Sequence, residues 1–401
     1  MIRQLFKLIW KQRKYNSLLV IEIAFSFIAI VALLATCIHY LKRYNEPRGM
    51  DYENIWILSA HQPWNLPPEQ RIPDSLQILK MDEFKKFIKN NYNEVLAVSK
   101  VTMFDYIYSP NSSSNCFDYE NRSICCNTSP TEPDLAVTFG MKIIEGRWIM
   151  EEDQIQNIEA VVINKKLKNE IFGNVPAAGK VIYRGKKDRI PLKVVGVFEA
   201  LKKNGEFDVE PNFMLSAKIN KEYCPFSGIA IRLSRNSNKD LEERMIKDLS
   251  SINKTYEFGI NKLDYERNYY IKAMLAPLIL VGAVILFLVV NVMLGLFGTL
   301  WLNISRRKSE IGLRRAVGST KSNVAWQILG ETYVLALISI AIGLVFTSQV
   351  FIFNIFNTPV STLVEGNIAA ILVIFVLSTI SAISPSHLAA SMQPAQALHE
   401  D

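Results

Sequence analysis

The sequence predicts an α-helical membrane protein with four transmembrane helices and a large α+β extracytoplasmic domain inserted between helices 1 and 2. Two observations indicate this fold class. The apolar residues of the 401-residue chain are concentrated in four stretches, and three of these hold about 20 or more residues, enough to cross roughly 30 Å of hydrocarbon. More than half of the chain lies between the first stretch and the second and has the residue pattern of a globular domain.

The predicted transmembrane helices cover residues 17–41, 271–302, 325–353 and 368–388. We expect the first to be a true span and not a cleaved signal peptide, because its apolar part is longer than an h-region and no A-x-A site follows it. The fourth is the shortest apolar run, and it can span if its serine residues bond to helix carbonyls. Four such runs in one chain favour membrane spans over buried core helices.

Basic residues near the spans predict the orientation. The first 16 residues, which we expect to form an amphipathic helix on the inner membrane surface, are basic, and so is the loop 303–324. The loop 354–367 contains no Lys or Arg. Because cytoplasmic loops are enriched in these residues, we expect both termini, including the tail 389–401, to be cytoplasmic and residues 42–270 to lie outside.

The outside segment alternates between strand and helix patterns. Residues 161–173 predict a strand followed by a helix that stops at Gly173, and residues 180–201 predict two strands around a polar turn. Residues 229–252 predict a strand and then a helix, in which Leu241, Met245, Leu249 and Ile252 share an apolar face. The segment 108–133 is rich in Asn, Ser and Pro, and we expect it to be a loop or an insertion. The combination predicts an α+β domain.

Four of the five cysteines fall in this outside segment: Cys116, Cys125, Cys126 and Cys224. An even number in a compartment that permits oxidation predicts one or two disulfides. The neighbours Cys125 and Cys126 should not pair with each other, so we expect a bond between the 108–133 segment and Cys224. Free thiols are the alternative. The spacing does not predict a zinc site, and we expect no metal to be bound.

The sequence predicts no catalytic residue and no cofactor bound by this chain. G-x-S-x-G, H-E-x-x-H and C-x-x-C motifs are absent. The stretch GNVPAAGKV (173–181) has five residues between Gly173 and Gly179 where the P-loop has four, and Val181 stands where Ser or Thr should reach magnesium. We therefore expect this segment not to bind ATP.

Three polar residues stand within or at the start of predicted spans, where burial is costly. Glu22 and Glu331 either face a substrate path or, the interpretation we favour, pair with basic or backbone groups near the cytoplasmic interface. Asn291 lies deeper, and we expect it to bond across a helix–helix contact.

The basic loop contains SRRKSEIGLRRAVGS (305–319), in which Ile311, Leu313 and Val317 alternate with charged residues at helical spacing. A loop that only fixes topology and touches anionic lipid needs Lys and Arg, but not this particular order of residues. The stretch resembles the signature of the FtsX/MacB family of ABC-transporter permeases, in which R-R-x-E-I-G-I-R-R-A-L-G-A links the second and third membrane helices. The resemblance implies a short coupling helix docked on a separate ATPase subunit. The residues it assigns to that coupling are Arg307, Glu310, Ile311, Gly312, Arg314, Arg315, Ala316 and Gly318.

Two further stretches are similar to the same family. FGMKIIEGRWIMEEDQ (139–154), with the strands that follow it, looks like the extracytoplasmic core domain of MacB-type permeases. The C-terminal PAQALHED is similar to the closing P-A-x-A-L-R of the family, with His399 in place of the basic residue. Residues 42–135 outside these stretches match no pattern that we can assign.

The resemblance implies the permease subunit of a mechanotransmission ABC transporter in a bacterial inner membrane. It would work with a cytoplasmic ATPase subunit that binds ATP and Mg, with a second permease chain of the same or a related kind, with membrane lipid and with an extracytoplasmic adaptor, and without nucleic acid. Its cargo would be an exported or extracted peptide, drug or lipid-linked substrate. One alternative is an FtsX-like relay that activates an extracytoplasmic enzyme. Another is a membrane sensor with an extracytoplasmic ligand-binding domain, which leaves the coupling stretch unexplained.

Overall fold

The computed structural model describes residues 13–63, 65–102, 113–120, 122–185, 189–203, 205–207, 210–218, 226–235, 240–353 and 359–391. The chain forms two compact units. The membrane unit comprises Met1–Lys42 and Leu275–Asp401, and the α+β domain comprises Arg43–Met274.

Four helices are long and apolar enough to cross a membrane, as the sequence predicts: α1 (Arg13–Asn45), α6 (Leu263–Arg306), α8 (Lys321–Phe353) and α9 (Val360–Ser391). They run past most of the predicted bounds. Helix α6 begins at Leu263, well before residue 271, and α9 begins at Val360, inside the predicted loop 354–367. A short helix, α7 (Lys308–Ala316), lies in the predicted loop 303–324. The predicted N-terminal amphipathic helix and the tail lie almost entirely outside the described residues.

The core of the membrane unit joins apolar residues of all four long helices, among them Ile23 and Phe27 of α1 and Ile340 of α8. Small residues bring the helices close together. A β-carbon on Gly343 would collide with the Phe27 ring, and one on Gly366 of α9 would lie 2.9 Å from the Ala35 methyl. Close backbone approach of this kind is typical of helix packing in membranes, where apolar burial alone does not drive association.

The α+β domain contains two sheets. The smaller has four antiparallel strands in the order β11-β1-β10-β2. The larger has seven strands in the order β5-β8-β6-β9-β4-β3-β7, and the additional pairing of β7 with β8 closes six of them into a ring. The strands are β1 (Ile55–His61), β2 (Val95–Thr102), β3 (Ser114–Tyr119), β4 (Arg122–Pro130), β5 (Ile143–Gly146), β6 (Glu159–Asn164), β7 (Val181–Arg184), β8 (Ile190–Phe198), β9 (Phe213–Ser216), β10 (Phe226–Leu233) and β11 (Glu257–Lys262).

Four helices complete the domain: α2 (Asp74–Asn91), α3 (Leu135–Phe139), α4 (Lys165–Phe172) and α5 (Leu241–Ile252). Helices α2 and α5 pack on the small sheet, and Leu241, Met245 and Leu249 of α5 are buried there as predicted. Ile252, predicted on the same face, is instead 45% exposed as the last residue of the helix. A second core lies between the two sheets, and a third joins the strand ring to α4.

The segment 108–133 was predicted to be a loop or an insertion, and the loop is wrong for residues 114–119 and 122–130, which form the strands β3 and β4 of a hairpin within the large sheet. Most polar residues of this hairpin are exposed or half-buried, while Phe117 and Cys126 are buried at 3% exposure each and Ser129 at 2%. Pairing with β7 on one side and β9 on the other stabilises the hairpin, and such tertiary context overrides weak strand propensity. The residues 103–112 lie outside the described part.

The cysteines differ from the expected arrangement. Cys116 and Cys125 face each other across the hairpin and form a disulfide, so neither can bond to Cys224. Cys126 is a buried free thiol, and burial raises its pKa to about 12. Cys224 lies outside the described residues.

Candidate coupling site and helix-fastening cluster

Helix α7 has a defined beginning and end. Glu310 lies in its first turn and Arg314 and Arg315 in its last, which complements the helix dipole. After the helix, Gly318 adopts a φ of 100°. Its N–H donates to the Arg315 carbonyl, and the N–H of Ser319 donates to the Arg314 carbonyl, which is the Schellman pattern that favours glycine. The structure therefore gives Gly318 the role of ending the helix.

Arg307, between α6 and α7, ties α7 to α8. Its Nε donates to Glu310 Oε2 at 3.0 Å, and its Nη1 donates to both carboxylate oxygens of Glu331 at 3.0 and 3.1 Å. The side chains of Arg307 and Glu331 are each only 14% exposed. Burial lowers the pKa of Arg307, but the two carboxylates outweigh it and hold the pKa above its usual value. Glu331 is thus placed in an ion pair, the arrangement that we favour from the sequence.

A second set of contacts supports the first. Arg314 donates to Glu310 and, at 2.6 Å, to Gln327 of α8, whose amide in turn donates to Glu331. The hydrogen bond from Arg307 and the nearby guanidinium of Arg314 lower the pKa of Glu310. We call the side chains Arg307, Glu310, Arg314, Gln327 and Glu331 the coupling network. It holds α7 against α8 by directional bonds.

The residues predicted to face an ATPase separate into two groups. Ile311 is buried in a cluster with residues of α6, α8 and α9, and Gly312 is buried as well, so neither is available on the surface of the chain. Arg314, Ala316 and Gly318 are exposed, and Arg315 is half-buried and donates to the Ser319 carbonyl. Two exposed apolar residues, Leu313 (56%) and Val317 (81%), lie on the side of α7 away from Ile311. Their spacing of four residues is a sequence pattern typical of a docking surface. The family signature did not assign either residue to the contact with the ATPase.

The other two intramembrane candidates lie apart from this site. Glu22 of α1 lies against Gly295 of α6, where a β-carbon would be 3.0 Å from its carboxylate. Asn291 donates to the Phe287 carbonyl of its own helix, and not across to another helix as the sequence predicts. Within the described ranges, no group of three or more His, Cys, Asp or Glu side chains could hold a metal ion.

The α+β domain holds the end of α1 and the beginning of α6 through buried charges that the sequence reasoning missed. The ammonium group of Lys202, whose side chain is 1% exposed, donates to the Arg43 carbonyl and pairs with Glu46 at 3.0 Å. Glu206, 2% exposed, pairs with Arg48 and with Arg267 of α6. The guanidinium groups of Arg48 and Arg267 lie 4.8 and 4.6 Å from the centre of the Tyr52 ring.

We call these residues the helix-fastening cluster: Arg43, Glu46, Arg48, Tyr52, Lys202, Glu206 and Arg267. Burial raises the pKa of Glu46, but Lys202 and Arg43 outweigh it and hold the pKa below its usual value. Two of the members, Lys202 and Glu206, belong to the stretch LKKNGEF (201–207). The composition of this stretch predicts a surface position, because Lys and Glu are rarely buried unless they are paired.

Comparison with known proteins agrees with this architecture. The MacB-like periplasmic core domain matches residues 18–247, and the FtsX-like permease C-terminal model matches residues 279–394. The macrolide export ATP-binding/permease protein MacB of Neisseria meningitidis serogroup A is 24% identical over 336 residues, which are 81% of this chain and 50% of that protein. MacB 1/2 of Paracoccus denitrificans is 26% identical over 243 residues, 56% of this chain and 35% of that protein. The chain therefore spans about half the length of the curated relatives it matches, or less.

Among solved structures, the periplasmic region of MacB from Actinobacillus actinomycetemcomitans is 18% identical, with a TM-score of 0.37, and the match covers 57% of this chain and 97% of that one.

Four apolar helices, with a large α+β domain between the first and the second and a short helix between the second and the third, define a multi-pass permease of the inner membrane. The chain belongs to the family of FtsX-like permeases with a MacB-like periplasmic core domain.

Proposed function

We propose that this chain is the permease subunit of an ABC transporter of the mechanotransmission type. A cytoplasmic ATPase partner binds and hydrolyses ATP with Mg, and its closure displaces α7. The membrane helices pass this displacement to the α+β domain, which acts on a peptide, drug or lipid-linked substrate outside the membrane. A second permease chain completes the transporter, and both termini lie in the cytoplasm.

The names of the relatives support the proposal of ATP-driven transport. They combine ATP binding with a permease and with macrolide export, and this chain matches about half of their length. The stretch GNVPAAGKV departs from the P-loop pattern in both spacing and magnesium ligand. We therefore assign ATP binding to the partner subunit.

The observation that carries the proposal is the fixing of α7 by the coupling network while Leu313 and Val317 stay exposed. An apolar pair at helical spacing, surrounded by charged residues, is typical of a helix that docks into a groove on another protein. Because Arg307 bridges Glu310 on α7 and Glu331 on α8, a displacement of α7 is carried into α8 instead of being absorbed by a flexible loop.

The helix-fastening cluster supports the other end of the pathway. Helices α1 (Arg13–Asn45) and α6 (Leu263–Arg306) each have residues in both units, and α6 contains Pro277 close to the boundary between them. An α-helix satisfies its backbone hydrogen bonds internally and resists compression along its axis. The buried charges of Lys202 and Glu206 hold the end of α1 and the beginning of α6. If either helix moves, the segment that carries these two residues must move with it.

The test is co-purification of the full chain from its native membrane with an ATPase, followed by an ATP hydrolysis assay. We expect the double variant Leu313→Asp/Val317→Asp to lose the ATPase at least tenfold, because the apolar contact is replaced by two buried charges. The control is Ile155→Asp, which replaces one apolar residue by Asp at an 85% exposed position of the α+β domain. Retention of the ATPase by the double variant contradicts α7 as the docking helix, and its absence from the native chain contradicts the transporter proposal.

A further inference from the structure

A cavity of about 350 Å³ lies between α1, α8 and α9 in the membrane unit. This volume falls at the lower end of the roughly 300–1,000 Å³ range of small-molecule sites. Ala32 of α1 lines the cavity and is exposed, while Val31 and Ala35 behind it are buried. The cavity therefore opens along one side of α1 onto the apolar surface of the membrane unit, which faces lipid or a neighbouring helix.

The polarity of the cavity changes in order along α1. Lys42 forms a 2.7 Å ion pair with Glu365 of α9, and both side chains are nearly half exposed. These charges mark the level at which the helices leave the hydrocarbon, since the sequence of α1 has no other charged residue between Glu22 and Lys42. At 1.5 Å per residue, Thr36 lies about 9 Å and Ile28 about 21 Å along α1 from Lys42.

The lining follows the same order. Toward the ion pair the lining includes one apolar residue, Leu363, and the polar side chains of Thr36, His39, Tyr40, Thr347 and Asn367. Far from the ion pair the lining is apolar, with Ile28 and Val31. A phospholipid has this order of chemical groups, with a charged headgroup, an ester and then a hydrocarbon chain. A half-bilayer of about 15 Å of hydrocarbon also matches the distance over which the lining changes.

Asn367 supplies a specific hydrogen-bonding group. It is only 7% exposed and lines the cavity about 3 Å along α9 from Glu365. Its amide nitrogen donates to the Leu363 carbonyl, and its oxygen accepts from Thr347. An Asn amide has two N–H donors, so the second N–H is left to meet an acceptor inside the cavity.

We propose that this cavity binds one acyl chain of a membrane phospholipid, with the ester carbonyl accepting a hydrogen bond from Asn367 and the phosphate close to Lys42. Because Ala35 packs against Gly366 of α9, a chain held beside this contact fills the space between α1 and α9. The lipid thereby becomes part of the packing of the first membrane helix. The proposal does not depend on the proposed transport function.

The experiment uses the full chain in lipid nanodiscs that contain phosphatidylethanolamine with a diazirine near the end of one acyl chain. After irradiation, mass spectrometry maps the label along α1. The measured quantity is the ratio of label at Ile28–Val31 to label at Phe25, a 69% exposed residue of the same helix that does not line the cavity. We expect this ratio to exceed the ratio of the exposures of these side chains.

Two variants, each with a matched control, test the assignment. Ala32→Phe fills the mouth of the cavity and should lower the ratio at least fivefold, whereas Ala341→Phe, at an exposed position of α8, should not. Asn367→Leu removes the donor and should lower the ratio about fivefold, the effect of one ordinary hydrogen bond. Asn291→Leu removes a similar bond to a helix carbonyl outside the cavity and should leave the ratio unchanged.

If Ala32→Phe leaves the labelling ratio unchanged, the label reports bulk lipid only, and this result overturns the proposal. A disulfide between two copies of an Ala32→Cys variant in native membranes also overturns it, because a second chain would then cover the cavity. Labelling that Ala32→Phe lowers and Asn367→Leu does not would overturn the assigned hydrogen bond.

Discussion

The helix-fastening cluster makes a quantitative prediction about Glu206. The substitution Glu206→Gln keeps the shape of the side chain and removes the charge that pairs with Arg48 and Arg267. Removing one partner of a buried ion pair typically costs about 3–5 kcal/mol, because the remaining charge is left unpaired. Arg267 is 17% exposed and Arg48 is 39% exposed. Since Arg48 can regain water, we expect the lower end of that range, about 3 kcal/mol.

The measurement is thermal unfolding of the full chain in detergent. The transition is monitored by tryptophan fluorescence and by the proteolysis of the α+β domain. For a domain of about 150–250 residues, 1 kcal/mol shifts Tm by about 2–4 °C, so we expect a decrease of about 6–12 °C. The control is Glu199→Gln, which removes a carboxylate from the exposed pair with Lys142 and should cost under about 1 kcal/mol. A Tm decrease for Glu206→Gln no larger than that of Glu199→Gln would refute the reasoning.

Three further predictions concern single features. Gly318→Ala places a side chain at a φ of 100° at a cost of about 1–2 kcal/mol, so amide exchange in α7 should rise at least fivefold. Because burial raises the pKa of Cys126 to about 12, iodoacetamide at pH 8 should leave this thiol unmodified in the folded chain and react with it after unfolding; modification of the folded chain would contradict the buried position. Arg307→Met should destabilise the membrane unit, and Arg307→Met/Glu331→Met should restore the stability without restoring transport. Recovery of both in the double variant would show that the ion pair is only structural.

The sequence predicted the features that repeat a simple pattern. Four apolar runs gave the four spans, and residues 161–173 gave β6 and α4 because Asn164 caps the helix and Gly173 ends it with a φ of 59°. The hairpin β3–β4 was missed because its stability comes from pairing with β7 and β9. Both of these strands lie far along the sequence from the hairpin.

The sites show the same limit. Glu331 could be found because a carboxylate at the start of an apolar span needs a partner. Glu206 and Lys202 could not be found, because their burial depends on the end of α1 and the start of α6 meeting the segment 201–207. In a single sequence these charges have the composition of an ordinary surface turn.

The positions of the two charged clusters follow from the physics of the bilayer. Apolar side chains within the hydrocarbon gain little by leaving lipid for one another, so the middle of a span is held mainly by shape. Neutral hydrogen bonds do join these helices along the spans, as Thr347 to Asn367 and Tyr333 to Thr379 show. Charged groups are costly within hydrocarbon, so ion pairs such as those of the coupling network and the helix-fastening cluster are favoured where helices leave it. Helix α6 passes through both, since Arg267 belongs to the cluster and Arg306 immediately precedes the network. On the proposed function, α6 is therefore the helix that carries a displacement from the coupling network to the helix-fastening cluster.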